Sequence, residues 1–230
     1  MAELPRGTVQ EGLPNMTTTI DTQVQRMVST TRANFALPDM IPVLDRLLAE
    51  GEPVSVTRLA AAGGWPVEQV HAQLERQPGT DWDDHGRIAG FAVSLRPTPH
   101  TFQFDGRILY GFCATAVLEL PIILGRKGVA ESTCPATGQQ IHVELTPDRI
   151  LQVDPSEAVV SKVRPAEAVT DVRAEICDLG NFFSSPAAAA DWLKHHPDGQ
   201  VASIADEFTV TQRAMRELGW TAPQHSETAR

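Results

Sequence analysis

Ala114 to Leu124 is the segment that most limits how this chain can fold. It is almost wholly apolar, interrupted by Glu119 and Pro121, and it follows a strand-like stretch, Ile108 to Phe112. A helix that is apolar on every side has to be enclosed by other elements, because no polar face remains to meet water. The stretch is well short of the roughly 18–20 residues that cross a bilayer. It therefore reads as a helix at the centre of a soluble core, kinked or broken at Pro121.

The elements that enclose it can be read on both sides. Residues 1–36 form a loose tail followed by a short helix over Ile20 to Val28. In Asp39 to Glu50 the residues Ile41, Leu44, Leu47 and Leu48 share one helical face, and Gly51 ends the helix. Ser55 caps a second helix to Ala62. After the Gly63-Gly64 turn, Pro66 opens a third, with Val67, Val70 and Leu74 on its inner face. Asp83-Asp84-His85-Gly86 is a hairpin turn before a strand over Ile88 to Leu95. Three helices and a hairpin over residues 37–96 spell a winged helix-turn-helix module.

That architecture suggests DNA, and charge argues against it. Leu37 to His100 holds five Arg against nine Asp or Glu, a net of −4, and the third helix carries Glu68 and Glu75 against Arg76. Phosphate contacts are made by Lys and Arg. The whole chain has a net charge of −10, a poor match for nucleic acid or an anionic membrane. The module is expected to serve as a packing scaffold, with no nucleic acid and no membrane as partner.

After the joint Arg96-Pro97-Thr98-Pro99 a second unit is expected over residues 100–220, with a polar tail over 221–230. His100 to Phe104 and Ile108 to Phe112 pair about an Asp105-Gly106 turn. Val129 to Ser132, Gln140 to Leu145, Val159 to Val163 and Ala174 to Leu179 read as further strands, and Pro186 to His195 as a helix. The fold class is α+β: an N-terminal winged-helix-like helical domain, then a mixed-strand core with flanking helices.

Three cysteines, Cys113, Cys134 and Cys177, are too few and too scattered for a secreted disulfide framework, and no signal segment is visible at the start. A reducing cytoplasm is the expected setting. Cys113 lies where a strand runs into the buried helix, and a helix N-terminus favours the thiolate. It suits a nucleophile or a soft-metal ligand, although free cysteines also occur simply as small buried hydrophobes. No C-x-x-C knuckle, G-x-S-x-G elbow, P-loop or G-x-G-x-x-G fingerprint is present.

Three ordered motifs carry a resemblance: Tyr110-Gly111-Phe112-Cys113-Ala114 with the helix ending Leu120-Pro121-Ile122-Ile123-Leu124-Gly125-Arg126; Thr133-Cys134-Pro135-Ala136-Thr137-Gly138; and Val172-Arg173-Ala174-Glu175-Ile176-Cys177 followed by Asn181-Phe182-Phe183. Together they resemble the organomercurial (alkylmercury) lyases, from about Leu37 to the region of Phe208. The resemblance implies a lyase core in which Cys113 and Cys177 are the catalytic pair and the mercury ligands, mercury being a soft ion suited to thiolates. It implies that Cys134 is structural. A proton is delivered to the leaving carbon, a hydrocarbon departs and mercury(II) remains for cellular thiols or another acceptor. No organic cofactor is implied. Where the family carries an Asp three residues after the first cysteine, this chain has Ala116. Glu119 or Asp178 could substitute, the cysteines could move the proton unaided in a weakened enzyme, or the scaffold could be a non-catalytic binder of mercury or copper. A thiol-sensing transcription factor is a third reading, disfavoured by the acidic helix. Glu119, on the same helical face as Ala116, would have a raised pKa if buried and could act as an acid; alternatively it meets solvent or pairs with Arg126.

Overall fold

The computed structural model describes residues 19–222. It begins with α1 (Ile20–Asn34), capped by the Thr19 hydroxyl, which accepts from the Thr22 amide. The helix runs two turns beyond the short one expected from the sequence, because Val24, Met27 and Val28 are buried where α1 lies along the last helix of the chain. The tail expected before it lies outside the described residues.

The helix-turn-helix unit forms as expected. It comprises α2 (Met40–Leu48), α3 (Val56–Gly63) and α4 (Val67–Glu75), with Ser55 capping α3 and Gly64 closing it in the left-handed region at φ 70°. A bridge between Val54 and Ile88 ties the α2–α3 connection to the hairpin of β1 (Asp81–Trp82) and β2 (Ile88–Phe91). Val67, expected inside, is exposed, whereas Val70 and Leu74 are buried. Pro66 stands outside the helix as its N-cap, with extended backbone.

The expected strand from Ile88 to Leu95 is two strands. Ala92 adopts φ 63°, so the chain turns back on itself and β3 (Val93–Ser94) pairs antiparallel with β2. Pleat alternation alone cannot reveal such a turn, because the residues on either side remain apolar. Gly90 is required there: a Cβ on it would stand 2.5 Å from the Ser94 hydroxyl. β3 then pairs with β5 (Arg107–Gly111), the return strand of the hairpin begun by β4 (His100–Phe104). One eight-stranded sheet results, in the order β1-β2-β3-β5-β4-β6-β7-β8, completed by β6 (Gly128–Thr133), β7 (Gln140–Leu145) and β8 (Ile150–Asp154). The Pro-rich joint is thus spanned by continuous strand pairing between the two sequence units.

Helix α5 (Ala114–Leu124) is the buried centre. It packs on β4, β5 and β6 on one side and against α2 and α7 (Ile204–Leu218) on the other. Eight of its eleven residues are buried, and Thr115, Glu119 and Leu124 are the exceptions. The helix continues through Pro121 to a left-handed cap at Gly125; a proline this close to the end removes a hydrogen bond only from the last turn. A second sheet, β10-β9-β11, holds β9 (Val159–Lys162) between β10 (Phe182–Phe183) and β11 (Gln200–Ser203). The helix expected from Pro186 starts only at Ala190, giving α6 (Ala190–His195). The expected strand Ala174 to Leu179 is instead a π-helical turn, Arg173–Cys177. Asp171 explains the difference: its carboxylate accepts from the Arg173 and Ala174 amides, while Glu175 reaches back to the Thr170 and Asp171 amides. These side-chain caps supply the partners that a strand ladder would otherwise provide.

No described helix is long and apolar enough to cross a membrane.

Candidate functional site

The sulfur of Cys113 caps α5. The residue is extended, at φ −145° and ψ 169°, and its sulfur accepts from the Ala116 amide at 3.3 Å. The strand-to-helix junction proposed from the sequence is therefore real, and it aims helix N–H groups at the thiol. Cys177 ends the π-helical turn and is buried. The two segments are clamped together by Gly180: its carbonyl accepts from the Ala114 amide at 2.8 Å, and its own amide donates to the Cys177 carbonyl at 2.8 Å. A Cβ at Gly180 would lie 2.9 Å from the Cβ of Cys113, so only glycine permits this approach.

The thiols are electrostatically unequal. A hydrogen bond from the Cys177 thiol is the main influence drawing the Cys113 thiol below its ordinary value, helped by the Ala116 and Thr115 amides and opposed by burial. Cys177 is pushed well above the ordinary value by that same bond, by burial and by the charges of Cys113, Glu119 and Asp178. The two shifts run in opposite directions, so Cys113 gives up its proton more readily than Cys177.

Both sulfurs face a cavity of about 120 Å³ whose wall also includes Thr115, Ala116 and Glu119 from α5, Lys162 and Arg164 from the end of β9, and Ala92 from the β2–β3 turn. Thr115 and Glu119 are four residues apart, so the two polar residues of α5 form one stripe on the cavity side. Burial pushes the Glu119 carboxyl well above the usual carboxylate range, reinforced by the Cys113 and Asp45 charges and eased by Arg164. Glu119 thus holds its proton to higher pH than an ordinary carboxyl does. Arg126, its candidate partner from the sequence, instead lies 3.6 Å from Asp105. Asp178, the other candidate acid, is exposed and outside the cavity wall.

Arg173 braces the Cys177 segment against the helix-turn-helix unit. Its guanidinium stacks over the Phe112 ring at 3.9 Å and pairs with Asp81 at 2.8 Å. Met27, Asn34, Phe35 and Ile41 bring α1, the α1–α2 connection and α2 to the same cavity, so the N-terminal unit walls the site. The face that α4 turns to solvent, Glu68, Gln69, His71, Ala72 and Glu75, bears no Lys or Arg.

Cys134 stands apart from the cavity, buried in the core at a tight turn where its carbonyl accepts from Gly138. Its thiol is lowered to about 7: burial opposes this, but hydrogen bonds from the Thr137 and Ser184 hydroxyls and from the Ser184 and Ala136 amides prevail.

A charged cluster in the cavity wall escaped the sequence reading. Glu207 on α7 is wholly enclosed, and it pairs with Lys162 and, at 2.5 Å, with Arg164, while Thr115 donates to it at 3.2 Å. The signal was present in part: Lys162 interrupts the otherwise uncharged run Ala158 to Val163, and Glu207 lies on the stripe Ile204, Phe208, Thr211 of an amphipathic helix.

A family model described as alkylmercury lyase matches residues 93–216, and one described as the helix-turn-helix domain of alkylmercury lyase matches residues 19–92. The alkylmercury lyase of Staphylococcus epidermidis is 44% identical over 165 residues, covering 72% of this chain and 76% of that protein. That of Streptomyces lividans is 39% identical over 165 residues, again covering 72% and 76%. The crystal structure of the mercury-bound form of MerB2 superposes with a TM-score of 0.69 at 21% identity, covering 86% of this chain and 99% of that one, a likeness of fold.

Proposed function

The chain belongs to the alkylmercury lyase family, and from that premise we propose that it cleaves carbon–mercury bonds by protonolysis, with Cys113 and Cys177 as nucleophiles and mercury ligands and Glu119 as the acid. The observation that carries this reading is the meeting of three groups in one cavity: Cys113, whose thiol is drawn down, Cys177, whose thiol is pushed up, and Glu119, whose carboxyl is raised by burial.

The Cys113 thiolate displaces the exchangeable ligand from the organomercury cation, since soft mercury prefers sulfur. Cys177 adds as the second sulfur, and its proton replaces the one that Glu119 gives up. Glu119 delivers a proton to carbon, and the electron pair of the carbon–mercury bond becomes the new carbon–hydrogen bond. One organomercury cation, one thiolate and one thiol give one hydrocarbon and a neutral mercury dithiolate. Cellular thiols then remove the mercury(II), and no organic cofactor takes part.

Glu119 in this scheme does the work of the Asp expected at position 116. The methyl group of Ala116 lines the same cavity and has no proton to give, so an enzyme slower than its relatives is expected.

The test is single-turnover release of benzene from phenylmercury in excess thiol. Cys113→Ser and Cys177→Ser should each abolish release and weaken mercury retention, because two thiolates chelate more tightly than one. Cys134→Ser should cost mainly stability. If the protein and its variants hold mercury tightly yet release no hydrocarbon, it is a soft-metal binder on a lyase scaffold.

A further inference from the structure

Two basic side chains meet one carboxylate beside the mercury cavity and share it. Lys162 and Arg164, each more than nine-tenths enclosed, both pair with Glu207. Lys162 also donates to the Gln23 side-chain carbonyl at 2.5 Å, and the Arg164 Nη2 reaches the sulfur of Met27 at 3.5 Å. The second terminal nitrogen of Arg164, Nη1, is enclosed and has no hydrogen-bond partner. An unpaired guanidinium nitrogen away from water is costly unless something supplies an acceptor.

Arg164 and both cysteines line the same cavity, so a group bound there together with mercury comes within reach of the guanidinium. An anion arriving with the mercury would give Arg164 Nη1 the acceptor it lacks, and the planar fork of a guanidinium suits a carboxylate in particular.

We propose that Arg164, held by Glu207 and backed by Lys162, is a carboxylate-recognising subsite of the mercury cavity, filled by a carboxylate on the organic group of the substrate or on the thiol that ligates its mercury. The proposal rests on the lyase reading above and names the substrate class that this site favours.

Two pairs of substrates separate the two sources. In the first, 4-carboxyphenylmercury is compared with phenylmercury, both presented with 2-mercaptoethanol. In the second, phenylmercury is presented as its 3-mercaptopropionate adduct or its 2-mercaptoethanol adduct. The carboxylated member of at least one pair should have a kcat/KM at least about tenfold higher, the size expected of one charge-assisted hydrogen bond, and the gain should lie in KM. Arg164→Met should bring that ratio to about one. Arg164→Lys, which keeps the charge and loses the fork, should retain part of it and decides the matter if the Met variant does not fold. Ratios of about one in both pairs for the parent, or an undiminished ratio in Arg164→Met, overturn the proposal. A calorimetric titration keeps this outcome distinct from failure of the lyase reading. The mercury(II)-loaded parent should bind benzoate and not benzyl alcohol, and loaded Arg164→Met should bind neither. If no substrate releases hydrocarbon, the lyase reading falls, and the benzoate titration alone upholds or overturns the subsite.

Discussion

Replacing Glu119 by Gln keeps the size and shape of the side chain and removes the proton it can give. Burial favours the protonated carboxyl, and the amide reproduces the shape of that neutral form. A positioned general acid is commonly worth about 100–10,000-fold, so Glu119→Gln should slow single-turnover benzene release from phenylmercury by that range, while the mercury affinity of the two thiols stays nearly unchanged. The pH dependence has a definite sign. The parent needs Glu119 protonated, so its rate falls as pH rises through the raised pKa of the carboxyl, and the Gln variant is low and lacks that limb. Stability carries an independent signature. In the unfolded chain the carboxyl releases its proton near 4.5, whereas the folded protein retains it to higher pH. Between those two values the folded state binds more protons, so the contribution of the neutral carboxyl is complete below 4.5 and is lost as pH rises through the folded pKa. Across that window the parent should lose about 1.4 kcal/mol per pH unit relative to Glu119→Gln in urea unfolding. A Gln variant that releases benzene at the parental rate would refute the assignment of Glu119 as acid. Parallel stability curves would refute its neutrality.

Ala116→Asp, placing a carboxylate beside Cys113 where the resemblance leads one to expect it, should raise the single-turnover rate, measured as hydrocarbon released after rapid mixing; an unchanged rate together with a slowed Glu119→Gln means that Glu119 alone acts as the acid. Glu207→Leu leaves Lys162 and Arg164 enclosed without their carboxylate and should cost about 3–5 kcal/mol in urea unfolding; a loss below about 1 kcal/mol would mean that the cluster is solvated. The protein should not retard duplex DNA at physiological salt, because the outward face of α4 has no cation to meet phosphate; a salt-sensitive complex at nanomolar protein would contradict this.

The local pattern of the chain determined much of the molecule. Apolar content on all sides of residues 114–124 required an enclosed helix, and α5 is enclosed by a sheet and two helices. Ser55, Gly64 and the alternation of His100 to Phe104 set their elements because caps, left-handed closures and pleat are decided by neighbours within a few residues. The family followed from three short motifs whose order survives in one dimension. Tertiary structure alone decided the rest. The turn at Ala92 joined the two sequence units into one sheet, and side-chain caps from Asp171 and Glu175 converted an expected strand into the turn that presents Cys177. Which acid faces the thiols was equally open in sequence: Glu119 and Asp178 were both within reach on paper, and only packing put one in the cavity and the other in solvent. The Lys162–Arg164–Glu207 cluster unites residues more than forty positions apart, and no local pattern records which charges will share an enclosed space. Burial sets the protonation of Glu119, and burial is a property of the assembled fold.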